Sequence, residues 1–205
     1  MTPWVTFIIP TVHRPSLSTT LRSLLAQTRR EWKAIVVFDG CQPDEKAWYR
    51  TDARIQVMCI EKTGESKNYA GNVRNRGMER VDTEWVAFVD DDDVLSSSYV
   101  EFLYRERMTY PHIPCILFRM SSREEWIVPD ATEPILRAGN AGISFAYRTA
   151  LFRDGLSFVP SSCEDVELLQ RIHAAGHPIL VSSMVTYFVR GYAVSSSSGF
   201  PPQIL

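Results

Sequence analysis

The sequence has no apolar run near the roughly 20 residues that a membrane-crossing helix requires; its longest, around residues 7–9 and 85–89, fall far short. No cationic start precedes a signal-like segment, so any membrane contact is expected to be peripheral. A basic block is missing too: 22 Lys and Arg stand against 24 Asp and Glu, a net charge of −2, which excludes a phosphate-backbone footprint and with it nucleic acid as a partner. Cysteine is scarce, and Cys41, Cys59, Cys115 and Cys163 form no C-x-x-C pair. They read as small buried hydrophobes in a reducing compartment, which points to the cytoplasm. The four histidines, His13, His112, His173 and His177, lack ligand spacing and read as structural or surface residues. No internal repeat is present.

What remains is an ordinary core-forming chain. With 205 residues and 45% hydrophobic content, it can bury one good core but not two, so a single domain is predicted. Short β-branched runs at 5–9, 34–38, 55–60 and 85–89 alternate with helical patterns, the signature of βαβ units and a mostly parallel sheet. Leu17, Leu21, Leu24 and Leu25 form one apolar stripe after Pro15, predicting a helix packed on that sheet. Further helices are expected over 71–80, 97–108 and 165–175, the last stopped by Gly176. Strands are expected at 115–120 and 126–128, with a turn at 139–142. The Ser, Gly and Pro-rich stretch 195–205 reads as a loose arm or the start of a linker.

The most informative feature is a buried strand, Val86-Ala87-Phe88-Val89, running into Asp90-Asp91-Asp92-Asp93. Carboxylates at the carboxyl end of such a strand sit where α/β folds bind ligands. On an extended chain Asp90 and Asp92 share a face, roughly 7 Å apart. Two like charges about 5 Å apart repel by roughly 3 kcal/mol at an effective dielectric of about 20, so a cation is expected there. Hard oxygen ligands suit Mg²⁺ or Mn²⁺, which take one or two carboxylates and complete their shells with water and phosphate. The competing reading is a solvated acidic turn that caps the next helix.

The chain resembles family 2 glycosyltransferases over most of its length, from Val5 to about Arg190. Phe7-Ile8-Ile9-Pro10-Thr11-x-x-Arg14-Pro15, with Leu21-x-Ser23-Leu24-x-x-Gln27-Thr28, is similar to the family's first strand, nucleotide loop and first helix. Residues 34–41 resemble its second strand, whose aspartate, here Asp39, accepts a hydrogen bond from the nucleotide base. Gly71-x-x-Arg74-Asn75-x-Gly77 is similar to the segment beside the diphosphate, Asp90-x-Asp92-Asp93 to the D-x-D, and Glu164-Asp165 to the catalytic acidic pair.

The resemblance implies a GT-A, Rossmann-like domain over 1–194, with a nucleotide-binding half to about 110 and an acceptor-side half with a smaller β region. It implies a metal-dependent inverting transfer of a hexose or deoxyhexose from a nucleotide sugar to a glycan or glycoconjugate hydroxyl. Pro10, Thr11, Arg14, Asp39, Arg74, Asp90, Asp91, Gly142, Glu164 and Arg190 would surround the donor, with Gly142 on the sugar side and Arg190 at phosphate. Asp92 would be the principal ligand of Mn²⁺ or Mg²⁺, assisted by Asp90, and Asp165 the general base. The chain leaves room for further domains of a longer polypeptide.

Chemistry is compatible with each role. A carboxylate at Asp39 can accept from uracil N3–H, a donor that cytosine lacks, which favours UDP; an Asp-Gly turn residue is the plain alternative. A guanidinium at Arg74 can fork onto a diphosphate, or can simply be solvated. Glu164 and Asp165 could instead serve only the dipole of a helix start. Trp126 could stack on an acceptor sugar or belong to the core. The sequence departs from the family at Phe38, where an acidic residue is usual, and at Tyr192, where many relatives place a metal-holding histidine. Two rival functions use the same residues: a haloacid-dehalogenase-like phosphatase with Asp90 as nucleophile, and a nucleotide-sugar-binding module without catalysis.

Overall fold

A computed structural model of the chain describes residues 2–63, 70–121, 126–130, 136–189 and 202–205. The order of elements is β1 (Val5–Thr11), α1 (Leu17–Leu25), β2 (Trp32–Asp39), β3 (Ile55–Ile60), α2 (Gly71–Met78), β4 (Trp85–Phe88), β5 (Val94–Leu95) and α3 (Tyr99–Thr109). There follow β6 (Cys115–Ser121), β7 (Ile127–Val128), β8 (Phe145–Arg148), α4 (Thr149–Arg153), α5 (Glu164–Ala174), β9 (Ile179–Phe188) and β10 (Gln203–Ile204). Every residue of β1 is buried, as a strand covered by helices on both faces demands.

The sheet runs β3-β2-β1-β4-β8-β6-β9-β10, with β5 on β9 and β7 on β6. The first four strands are mutually parallel. β8, which the sequence patterns did not announce, runs against both β4 and β6, and β9, equally unannounced, is parallel to β6. The half expected to be the smaller β region is thus part of the same continuous sheet. α2 packs on β1 and β2, and α3 on β6 and β9. Because β1, β2 and β4 are parallel and in register, their carboxyl ends bring Thr11, Asp39 and the segment after Phe88 to one edge, where ligands of open α/β sheets bind.

Three expectations are corrected. The arm from 195 does not end loosely: Gln203 and Ile204 pair with Val181 and Leu180, and Leu205 exchanges both backbone bonds with Ile179. Of the four cysteines, all free, Cys115 alone is buried; Cys41 and Cys163 are half-buried and Cys59 is exposed, so their scarcity carries no packing message. The aspartate run is not extended, because the amide of Asp93 closes a turn onto the carbonyl of Asp90 at 3.1 Å. Among the described residues no helix is long and apolar enough to cross a membrane.

Candidate functional site

The acidic turn is held from below by α1. Thr20 donates its hydroxyl to the Asp93 carbonyl at 2.7 Å. Ser23 Oγ accepts the Leu95 amide at 3.2 Å. Gln27 donates to the Ser96 carbonyl at 2.6 Å and accepts the Val100 amide at 3.0 Å. Thr20 and Ser23 share one face of α1 and Gln27 follows just past its end, so this polar stripe satisfies the backbone of residues 93–100. That stripe was present in the sequence, hidden among the leucines.

The turn sorts its four carboxylates into two kinds. Asp91 is closed off, its side chain 6% exposed, with Thr11 Oγ1 donating to Oδ2 at 2.6 Å and Arg14 reaching Oδ1 at 3.2 Å. Burial nonetheless raises its pKa above the usual carboxylate range, against the pull of Thr11 and Arg14. Asp93 is buried too, receiving the Tyr187 hydroxyl at 2.6 Å. Asp90 and Asp92 remain open, their side chains 35% and 34% exposed. The alternation expected of an extended strand therefore arises from a turn. Arg14 also bridges to Asp92 at 3.2 Å.

Thr11 spends its hydroxyl inside the protein, donating to Asp91 and accepting the His13 amide at 2.9 Å, and Pro10 is buried within β1. The loop between them and Arg14 turns through His13, whose φ of 66° is in the left-handed region; its ring meets the Phe38 edge at 5.6 Å between centroids. Phe38 itself is fully buried, so the missing acidic residue at that position faces the core and not the edge. Asp39 faces the edge: its Oδ1 accepts the Thr63 amide at 2.7 Å, which orients the carboxylate and leaves Oδ2 to accept from a ligand.

The second acidic group comes from α5, far along the chain. Glu164, its first residue, meets Arg74 Nη1 at 2.7 Å, while Arg74 Nη2 is paired with Asp90. One arginine thus joins the two acidic motifs. It is 4% exposed, with both terminal nitrogens occupied, so in this arrangement it does not present a fork to solvent. Asp165 is half-buried; its Oδ1 accepts the Val166 amide at 2.8 Å. Burial raises its pKa, helped by the charge of Asp90 and opposed by the Val166 amide and Arg74, which makes the carboxylate a stronger base than a solvated one. Its Oδ2 faces Gly142, where an added Cβ would stand 3.5 Å from that oxygen and 2.7 Å from Met120 Sδ. A side chain there would push Met120 aside and crowd the carboxylate, which glycine avoids.

Glu164, Asp165 and Glu167 also occupy the first turn of α5, so their favourable interaction with the helix dipole coexists with the placement of Asp165 beside Gly142. Trp126 is exposed. Arg190 and Tyr192 lie outside the described residues. Among the described residues no three His, Cys, Asp or Glu side chains converge as a metal cage. The donor set that does exist, two open carboxylates at one turn, suits a hard cation completing its shell with water and phosphate. Tyr187 and Thr20 were not foreseen, and Gln27 and Asn75 were named only as members of motifs, without these roles. Tyr187 lies on a strand that the sequence pattern did not announce, and Asn75 clamps the Phe158 amide and carbonyl at 3.0 and 2.8 Å.

Comparison with known proteins bears on the family and the fold. The model of the family described as Glycosyl transferase family 2 matches residues 6–159. Among curated proteins, the uncharacterized glycosyltransferase EpsJ of Bacillus subtilis (strain 168) is 30% identical over 141 residues, 65% of this chain and 39% of EpsJ. The chain spans about a third of the length of the curated relatives it matches. Among solved structures, a fragment of S. aureus TarS in complex with UDP-GlcNAc superposes with a TM-score of 0.72 at 23% identity, covering 97% of this chain and 60% of that one. The mannosyltransferase PcManGT of Pyrobaculum calidifontis, in complex with GDP-Man and Mn²⁺, superposes with a TM-score of 0.68 at 16% identity, covering 98% and 59%. At these identities the superpositions speak for the GT-A fold. The matched span includes the aspartate run, and the phosphatase reading, which needs that strand first in the fold, is set aside: it is β4, after three other strands.

Proposed function

The chain belongs to glycosyl transferase family 2, and from that premise we propose that it moves a hexose from a UDP-linked donor to a hydroxyl of a glycan or glycoconjugate, with inversion at the anomeric carbon. The observation that carries this reading is that one arginine, Arg74, joins Asp90 to Glu164, the neighbour of Asp165, so that the donor-side carboxylate and the proposed base belong to one region of the fold.

Asp39 Oδ2 accepts from the uracil N3–H. Asp90 and Asp92 would hold Mn²⁺ or Mg²⁺, and Arg14, 43% exposed at its side chain, lies next to Asp92 as a counter-charge that would shift onto phosphate when the donor enters. When bound, the cation neutralises the charge that accumulates on the leaving diphosphate. Asp165 Oδ2 receives the proton of the acceptor hydroxyl as it attacks. Gly142 keeps the space beside that oxygen clear for the sugar. That TarS and PcManGT were solved in complex with nucleotide sugars supports a nucleotide-sugar donor, and because their nucleotides differ the UDP assignment rests on Asp39.

Calorimetry with UDP in Mn²⁺ tests the metal arm. Asp92→Asn is expected to abolish the metal-dependent part of UDP affinity while leaving the fold intact; unchanged affinity would remove Asp92 from the metal site.

A further inference from the structure

Arg74 is a buried cation whose role the proposed chemistry leaves open. Its terminal nitrogens are both taken by carboxylates from different elements, Asp90 after β4 and Glu164 at the head of α5. Its remaining nitrogen, Nε, is buried without a partner, and its guanidinium lies over the Phe158 ring at 5.4 Å. Reaching a diphosphate would require it to abandon one of its two pairs.

The same face of α2 is committed to the same task. Gly71, Arg74 and Asn75 lie at i, i+3 and i+4, the spacing of one helix face. Asn75 binds both backbone groups of Phe158. At Gly71 an added Cβ would fall 2.5 Å from Glu164 Oε2 and 2.9 Å from Phe158 Cβ. All three therefore hold the segment that leads into α5. That helix has no side-chain cap of its own, since the N-cap residue Cys163 makes no capping hydrogen bond, so the direction of its first turn is set from outside. Phe158 in turn packs edge-on against Phe88 at 5.0 Å, which anchors the bracket to the strand that ends in the aspartates.

We propose that Arg74 and Glu164 form a positioning brace that fixes Asp165 relative to the donor-side Asp90, with neither residue binding the donor. The inference rests on the reading of Asp165 as the base. An arginine suits this place because its planar fork addresses two carboxylates at once, which a lysine's single ammonium does not reproduce.

The test combines turnover with amide exchange on the intact chain. UDP release from UDP-glucose and from UDP-N-acetylglucosamine is followed in Mn²⁺ for the native protein, Arg74→Lys, Glu164→Gln, the double variant and Asp165→Asn. Each single brace variant is expected to lose about 10- to 100-fold in kcat, the scale of a small misplacement of a catalytic group, with donor KM changed less than about threefold. The double variant is expected to be no worse than the weaker single, because both act through one contact. Losses that fall on KM, or that multiply in the double variant, or an unchanged kcat, overturn the brace. Deuterium exchange at Val166 and Glu167 needs no substrate. It is expected to rise about tenfold or more in either single variant and no further in the double; unchanged exchange overturns the brace independently of turnover. Normal turnover by Asp165→Asn removes the base assignment instead, and leaves the exchange result to judge the brace.

Discussion

Tyr187 donates its hydroxyl to Asp93 Oδ2 at 2.6 Å across 94 positions of sequence, and the Tyr187 hydroxyl oxygen in turn accepts the amide of Asp90 at 3.1 Å. A residue on β9 thereby closes the acidic turn from the side opposite α1. Burial keeps the phenol protonated by pushing its pKa well up, so it remains a donor throughout the accessible pH range.

The first consequence is for stability and metal binding together. Tyr187→Phe removes the donor to a buried carboxylate and leaves Asp93 without it, at an expected cost of about 1.5–3 kcal/mol, the range for hydrogen bonds to charged groups. UDP affinity in Mn²⁺ is expected to weaken along with it, since Asp90 and Asp92 flank the loosened corner. Denaturant unfolding and calorimetry check both; an unchanged unfolding midpoint would mean that the Tyr187 bond does not hold the turn.

The second concerns nucleotide choice. With Thr63 occupying one oxygen of Asp39, the other is an acceptor and cannot donate. UDP is expected to bind more tightly than CDP by roughly 1–3 kcal/mol, about the cost of leaving a buried polar group unpaired. Asp39→Asn is expected to shrink that gap. Equal affinities for UDP and CDP in the native protein would show that the base is read elsewhere.

The third is a pH dependence remote from the site. Glu106 on α3 has its pKa raised by burial to about 7, against the pull of a hydrogen bond from Ser182 and the charge of Arg105, and its Oε2 has no partner. A carboxyl whose folded-state pKa lies above its unfolded value stabilises fully below about pH 4.5, and that contribution is lost as pH rises through about 7. The native protein is therefore expected to lose on the order of 1–3 kcal/mol relative to Glu106→Gln between about pH 4.5 and 8. Parallel stability curves for the two proteins would contradict this.

The nucleotide-side strands were legible because each is a contiguous apolar run, and the leucine stripe of α1 because its spacing is regular. β9 was not, since Ser182, Ser183 and Thr186 interrupt its apolar residues; they are tolerated where Ser182 bonds Glu106 on α3. β8 is only four residues long. The positions of the acidic motifs could be read, but not their internal division of labour. That Asp91 and Asp93 are fasteners while Asp90 and Asp92 stay open depends on partners at Thr11, Arg14 and Tyr187, and no local pattern encodes such long-range pairs. Arg74 shows the same limit: its spacing suggested a phosphate contact, and its burial between Asp90 and Glu164 gives it another set of partners.

The most direct measurement compares Asp165→Asn with the native protein in two assays, UDP binding and sugar transfer or donor hydrolysis. The substitution keeps the side chain's shape and its bond from the Val166 amide but removes the proton acceptor beside Gly142. UDP affinity is expected to be retained and turnover to fall by roughly 10²–10⁴-fold, with the native product inverted at the anomeric carbon. Near-native turnover by Asp165→Asn, or a product that keeps the donor's configuration, would contradict it.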